Sequence, residues 1–337
     1  MSLTRASIIR GPAVLVYTSL SGVATTLFSQ GDIQLRMANQ TFDIATSLYG
    51  VVDKRTNQRS VEITWTPTGE LTAMAGVLWP HGGKNPGDSL FGGEPSSATY
   101  PSLQIIPKTG YSYTFYGAVV TKQPTVQLSS TKTIVGSITF TAIGKEGVLW
   151  STANSLYTEA STSFGTYAFS PSSIRTTPYV GGWGATASYS VPTWTLSGSL
   201  TLAVYDTKDG WTLNFNVSTT PVEADEYGIV DYTVGDNVAT ASCSPLTLSE
   251  TTLTAILNLQ GSGADRGQSL LSGNLLSIVP SNGTPVGSAN VTLNNCSMLQ
   301  IGYDYGLNST RVPQIQFTTL RYLVTNALQP AYTITAN

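Results

Sequence analysis

Charged side chains are scarce. They make up 10% of the 337 residues, against the roughly 25% usual in soluble domains. The hydrophobic share, 41%, is ordinary, so Thr, Ser, Asn, Gln and 32 glycines fill the deficit. Such a composition favours β structure with many turns, and its surface has few of the charges that hold neighbouring molecules apart. Much of that surface is therefore expected to face other copies of the chain.

Histidine and cysteine are scarcer still. The single histidine, His81, sits in the turn Trp79-Pro80-His81-Gly82-Gly83. A lone His in a loop reads as a surface residue, and no Ser or Cys nucleophile motif accompanies it. Cys243 and Cys296 are the only cysteines. They give neither a disulfide framework nor a metal-ligand spacing, and read as small buried residues. No apolar run approaches the roughly 18 residues of a membrane helix. The start, through Arg10, lacks the pattern of a secretion signal. The expectation is a chain made in a cytoplasm with no membrane anchor. A pI near 5.2 with scattered cations offers no phosphate-tracking patch. Gly261 to Gly267 has the wrong spacing for a dinucleotide loop. Adjacent Asp225 and Glu226 point to opposite faces of a strand. No catalytic residue, cofactor or metal is expected.

What is present is a repeat. Residues 31–67 have a counterpart in residues 209–245, aligned without a gap from Tyr49 to Pro67 at an offset of 178. Tyr49-Gly50-Val51-Val52-Asp53 matches Tyr227-Gly228-Ile229-Val230-Asp231. In the first copy Ile33, Leu35 and Met37 alternate with Gln34 and Arg36; in the second Trp211, Leu213, Phe215 and Val217 alternate with Thr212, Asn214 and Asn216. That is the period of a strand with one buried face. Val61, Ile63 and Trp65 return on the same face as Ala239, Ala241 and Cys243. Further matches join Leu103–Gly110 to Leu276–Gly283 and Ser137–Thr141 to Gln314–Thr318. The spacing of Leu71, Met74, Ala75 and Leu78 predicts a short helix, and Leu253, Ile256, Leu257 and Gln260 echo it. A repeat defines the unit that folds. Accidental self-alignment of a Thr- and Ser-rich β chain is the competing explanation.

The repeat is electrically lopsided. Residues 1–160 hold eleven Lys and Arg against nine Asp and Glu, and residues 161–337 hold five against ten. The first loop carries Lys54, Arg55 and Arg59 beside Asp43 and Asp53. The second carries Glu223, Asp225, Glu226, Asp231 and Asp236. Opposite signs at related positions would suit alternating partners; drift of solvated loops would also produce them. The expected organisation is a first domain over 1–150, a linker over 151–187 and a second domain over 188–337.

The strand at Gly11–Val14, the long-looped hairpin, one helix after a Thr-Pro turn and the closing Ser-Ile-Thr-Phe-Thr together resemble the tail tube (major tail) proteins of long-tailed bacteriophages. Leu27-Phe28-Ser29-Gln30-Gly31-Asp32-Ile33 and Tyr49-Gly50-Val51-Val52-Asp53-Lys54-Arg55 carry the similarity most directly. The resemblance covers most of the chain and rests on pattern rather than on one signature motif. It implies two tandem β-sandwich or half-barrel domains, each with one short flanking helix. It also implies homotrimeric rings stacked into a virion tube, contact with other tail proteins, and genomic DNA passing through the lumen without specific binding. The implied stacking and inter-subunit residues are Asp43, Tyr49, Gly50, Asp53, Lys54, Arg55, Arg59, Glu223, Asp225, Glu226, Tyr227, Gly228, Asp231 and Asp236. A distal tail or baseplate ring protein is an alternative. Seventeen tyrosines and six tryptophans also leave room for a carbohydrate-binding β-sandwich.

Overall fold

The computed structural model describes residues 13–68, 71–91, 100–108, 110–128, 133–145, 156–161, 185–190, 199–203, 207–224, 228–245, 275–280, 289–294, 296–301, 314–319, 323–324, 327–328 and 330–336. The chain is mainly β, in several antiparallel sheets.

The first half contains β1 (Ala13–Thr18), β2 (Ala24–Ser29), β3 (Gln34–Thr46), β4 (Gly50–Trp65), β5 (Pro67–Thr68), α1 (Leu71–Leu78), β6 (Ser102–Pro107), β7 (Tyr111–Tyr116), β8 (Ala118–Lys122), β9 (Val126–Leu128), β10 (Thr133–Val135), β11 (Ile138–Ala142) and β12 (Tyr157–Ser161). The second contains β13 (Ala185–Ser190), β14 (Ser199–Ala203), β15 (Thr207–Ala224), β16 (Gly228–Pro245), β17 (Leu275–Pro280), β18 (Ala289–Asn294), β19 (Cys296–Ile301), β20 (Ile315–Thr319), β21 (Leu323–Val324), β22 (Ala327–Leu328) and β23 (Tyr332–Ala336).

Strand pairings recur from one half to the other. One sheet runs β12-β7-β6-β1-β2-β5, and its counterpart runs β14-β13-β17-β18-β23. Ala13 faces Pro107 as Ala185 faces Pro280, and Phe115 faces Tyr157 as Leu293 faces Tyr332. The other pair of sheets runs β3-β4-β11-β8 and β10-β9-β15-β16-β20-β19. Ile63 lies between Leu35 and Phe140, and Ala241 lies between Leu213 and Phe317. Even the bulge on the strand pair β8–β11 has its equivalent on β19–β20.

Alternation explains which face is buried. Val61, Ile63 and Trp65 point inward while Glu62 is exposed and Thr64 and Thr66 are half-buried. Trp65 stacks on Phe140 with ring centroids 5.2 Å apart, and Trp211 approaches Phe317 at 6.2 Å. Burying a large apolar side chain contributes about 1.5–3 kcal/mol. The core is continuous: Leu15, Leu27 and Phe140 of the first half belong to one cluster with Trp211, Leu293 and Phe317 of the second.

Helix α1 lies where the apolar spacing predicts it and buries Met74 and Leu78. It packs on β2 of its own half and on β18 and β23 of the other. The echoing stripe at 253–260 lies outside the described residues. Within 151–187, β12 pairs with β7 of the first half, and β13 begins at Ala185.

Candidate functional site

The long hairpins β3–β4 and β15–β16 are the same object built twice. Leu35 faces Ile63 and Leu213 faces Ala241; Met37 faces Val61 and Phe215 faces Ala239. The register slips between Gln40 and Thr41 in one hairpin and between Ser218 and Thr219 in the other, which are positions 178 apart. It slips again between Ile44 and Ala45, and between Val222 and Glu223, at the same offset. The returning strands open at Gly50 and Gly228. Bulges twist and re-aim a ribbon, so two bulges at matched places give the two hairpins one shape.

The first tip is apolar and outside the core. Leu48, Tyr49, Val51 and Val52 are all exposed. Gly50 has φ +67, a left-handed conformation that other residues adopt only under strain, and the Tyr49 N–H donates to Thr46 Oγ1 at 3.1 Å. Asp53 Oδ1 accepts from the Lys54 N–H at 2.8 Å, and Lys54 Nζ meets Asp43 Oδ1 at 3.2 Å. The backbones of Arg55 and Arg59 lie in β4 opposite Phe42 and Asn39. In the second hairpin Asp231 Oδ1 accepts from the Tyr232 N–H at 2.6 Å, as its counterpart Asp53 does from Lys54. Asp236 caps the Asn237 N–H at 2.8 Å. Glu223 and Asp236 are exposed, Asp231 is half-buried and Gly228 starts β16. Asp225, Glu226 and Tyr227 lie outside the described residues.

A seam joins the halves, and most of its residues escaped sequence reasoning. Strand β9 of the first half pairs with the outer edge of β15, setting Val126 opposite Leu213 and Leu128 opposite Trp211. Trp79 packs edge-on against Phe215 at 5.8 Å, and Phe215 meets Tyr332 at 4.6 Å. The turn after α1 then clamps the far end of the second hairpin. Gly87 N–H donates to the Val234 carbonyl at 2.7 Å, Val234 N–H to the Asp88 carbonyl at 2.9 Å, and Leu90 N–H to the Tyr232 carbonyl at 2.8 Å. Leu90, Val119 and Val234 form a small second core there.

His81 corrects an expectation. It is not a surface residue but lies in this seam, 1% exposed. The Nε2 atom stands 2.6 Å from the Val120 carbonyl and so carries the proton that it donates. Its own carbonyl accepts from Asn237 Nδ2, and Gln123 Oε1 accepts from the Tyr332 hydroxyl at 2.7 Å. Burial, opposed by the Val120 bond, pulls the imidazole down to about 4. Burial likewise lowers Lys84, with Asp88 and Asp231 opposing it. Tyr232 is raised by burial, then by the carboxylates of Glu62 and Glu223. A His between a proline and a pair of glycines looks solvated until its neighbours are known; only the nearby Trp79 hinted otherwise.

Among the described residues, no group of three or more His, Cys, Asp or Glu side chains gathers as a metal would require. None of their helices is long and apolar enough to cross a membrane. No protein-family model matches the chain, and no curated protein shows significant similarity to it.

Proposed function

We propose that this chain is the tail tube subunit of a long-tailed bacteriophage. Two tandem tube domains of β-sandwich or half-barrel type, about 1–150 and 188–337, make one chain. Three chains close a pseudo-sixfold ring, and rings stack around a channel for genomic DNA. The observation that carries this reading is the matched hairpin pair, equal in register over residues 34–64 and 212–242 down to the two bulges within that span. A chain with two equivalent long hairpins presents two equivalent building units, which is what a ring of three with six similar positions requires. Closure also removes sheet edges that would be hazardous in a monomer.

Two further features agree. The faces of the hairpin sheets turned away from the core carry Gln34, Arg36, Glu62, Thr64 and Thr139 in one half and Thr212, Asn214, Thr240, Ser242, Gln316 and Thr318 in the other. A mostly neutral, hydroxyl- and amide-rich wall would pass DNA without the counterion release that makes basic surfaces adhesive. The apolar tip at Leu48, Tyr49, Val51 and Val52 suits burial against a neighbouring ring. Trp65, Trp79 and Trp211 are buried, which leaves these tryptophans no role in stacking on sugars.

Negative-stain electron microscopy of the concentrated protein tests the reading. Rings of three chains with six lobes, stacking into tubes, are the expected result. Persistent monomers at high concentration would refute it. In a virion, many stacked rings distinguish a tube from the single ring of a distal tail protein.

A further inference from the structure

The seam inside the chain has an unfilled twin on the first half. Leu213 and Phe215 are 0% and 3% exposed, because β9 and Trp79 of the first half cover them. Their counterparts 178 residues earlier, Leu35 and Met37, are 42% and 52% exposed. Among the described residues no strand pairs with the outer edge of β3, although the equivalent edge of β15 is taken by β9. Tyr332, which Phe215 touches, is buried, while Tyr157 at the matching place on β12 is only partly so.

We propose that the outer edge of β3, with Leu35, Met37 and Tyr157, is the docking site for a second copy of this chain. The occupant is the second half of that copy, seated as the first half is seated on β15. It cannot be the first half of another copy acting through β9, because β9 is already committed within its own chain. An edge strand of 13 residues with two exposed apolar side chains is a template for strand addition. Charge points the same way. Inside the chain, the net positive first half, with Lys84 facing Asp231, sits on a hairpin bearing Glu223, Asp231 and Asp236. At the open site the signs invert: the hairpin bears Lys54, Arg55 and Arg59, and the occupying half carries ten acidic against five basic residues. Complementary fields select the head-to-tail contact and oppose like halves meeting. Both junctions then have one geometry and opposite polarity.

This deepens the ring reading, and its test separates the two. A photo-crosslinking amino acid is placed at position 35 of the full chain, and equal amounts of isotopically light and heavy protein are mixed. Adducts joining light to heavy chains, with the acceptor peptides in residues 185–337, are expected. In parallel, Leu35→Lys with Met37→Glu is compared with Val23→Lys, a change at an exposed residue in the β1–β2 turn. The double variant should keep its near-ultraviolet circular dichroism and raise the dissociation constant by more than ~10-fold, as expected for losing two buried apolar contacts. Val23→Lys should associate normally. Adducts within the first half of the partner, association of the double variant at wild-type strength, or a chain that never self-associates would each overturn the inference. Rings seen despite either of the first two results would leave the tube reading standing, whereas a chain that never self-associates would sink both. Correct adducts in an open dimer or filament that never forms a tube would sink the tube reading alone.

Discussion

Trp79 and Phe215 meet edge to face across the two halves, with ring centroids 5.8 Å apart and planes at 60°. The indole N–H of Trp79 also donates to the Pro124 carbonyl at 2.9 Å. One side chain thus joins the end of α1, the approach to β9 and the second hairpin. Trp79→Ala should cost about 3–5 kcal/mol, the range for removing a buried aromatic. Trp79→Phe keeps most of the packing and leaves the carbonyl without its donor, so it should cost about 1–3 kcal/mol. Urea unfolding followed by far-ultraviolet circular dichroism measures both.

Acid should loosen the seam through His81. Its folded value, about 4, lies below the ordinary 6.5. Between those values the unfolded chain binds a proton that the folded chain refuses, so stability falls as pH drops. The contribution is fully present above pH 6.5 and is lost toward pH 4, on the order of 3 kcal/mol in total. Denaturation midpoints from pH 7.5 to 4 should show this slope, and His81→Gln should flatten it while lowering stability at neutral pH.

Gly82 lets the two halves touch backbone to backbone. A Cβ there would lie 2.7 Å from the Tyr332 carbonyl oxygen and 3.0 Å from Cε2 of its ring. Gly82→Val should destabilise by about 1–3 kcal/mol, as overpacking does, and amide exchange in β23 should quicken. Gly83→Ala next to it meets nothing within 4 Å and should stay within about 0.5 kcal/mol of wild type.

Both thiols should be silent in the native protein. Cys243 and Cys296 are buried, and burial pushes the Cys243 thiol up to about 12 and raises Cys296 as well. Thiolate is the reactive form. A disulfide reagent at pH 8 should label neither cysteine until denaturant is added, and both afterwards.

Local patterns were legible in the sequence because they reside in short periods. The alternation of Leu35, Met37, Val61 and Ile63 and the helical stripe from Leu71 to Leu78 both fall on observed elements. The buried face expected of the first strand is a correction. Val61 and Ile63 are buried, whereas Leu35 and Met37 are exposed because no strand among the described residues lies along the outer edge of β3. The gapless match from Tyr49 to Pro67 set Gly50 beside Gly228, and these two residues open equivalent strands. Contacts between halves left no such period. Nothing in Val126-Gln127-Leu128 marks it as an added strand for β15, since three alternating residues fit many edges. No local signal marks the role of the turn from Pro80 to Leu90, because its hydrogen-bond partners, Tyr232 and Val234, lie over 140 residues away. Among the candidate site residues, the charged ones proved to be exposed or half-buried wherever their side chains are described. The apolar edge residues beside them became visible only when Leu35 could be compared with its buried partner Leu213.

Pairing of β9 with β15 happens as the polypeptide folds, without any encounter in solution. In a ring closed by the same geometry, every other joint would already exist before the first collision. Loss of translational and rotational freedom, which opposes each association step, would then apply to half the joints of a ring made from single units. Closure should therefore set in at lower protein concentration, and a growing ring would have fewer partial states in which to stall.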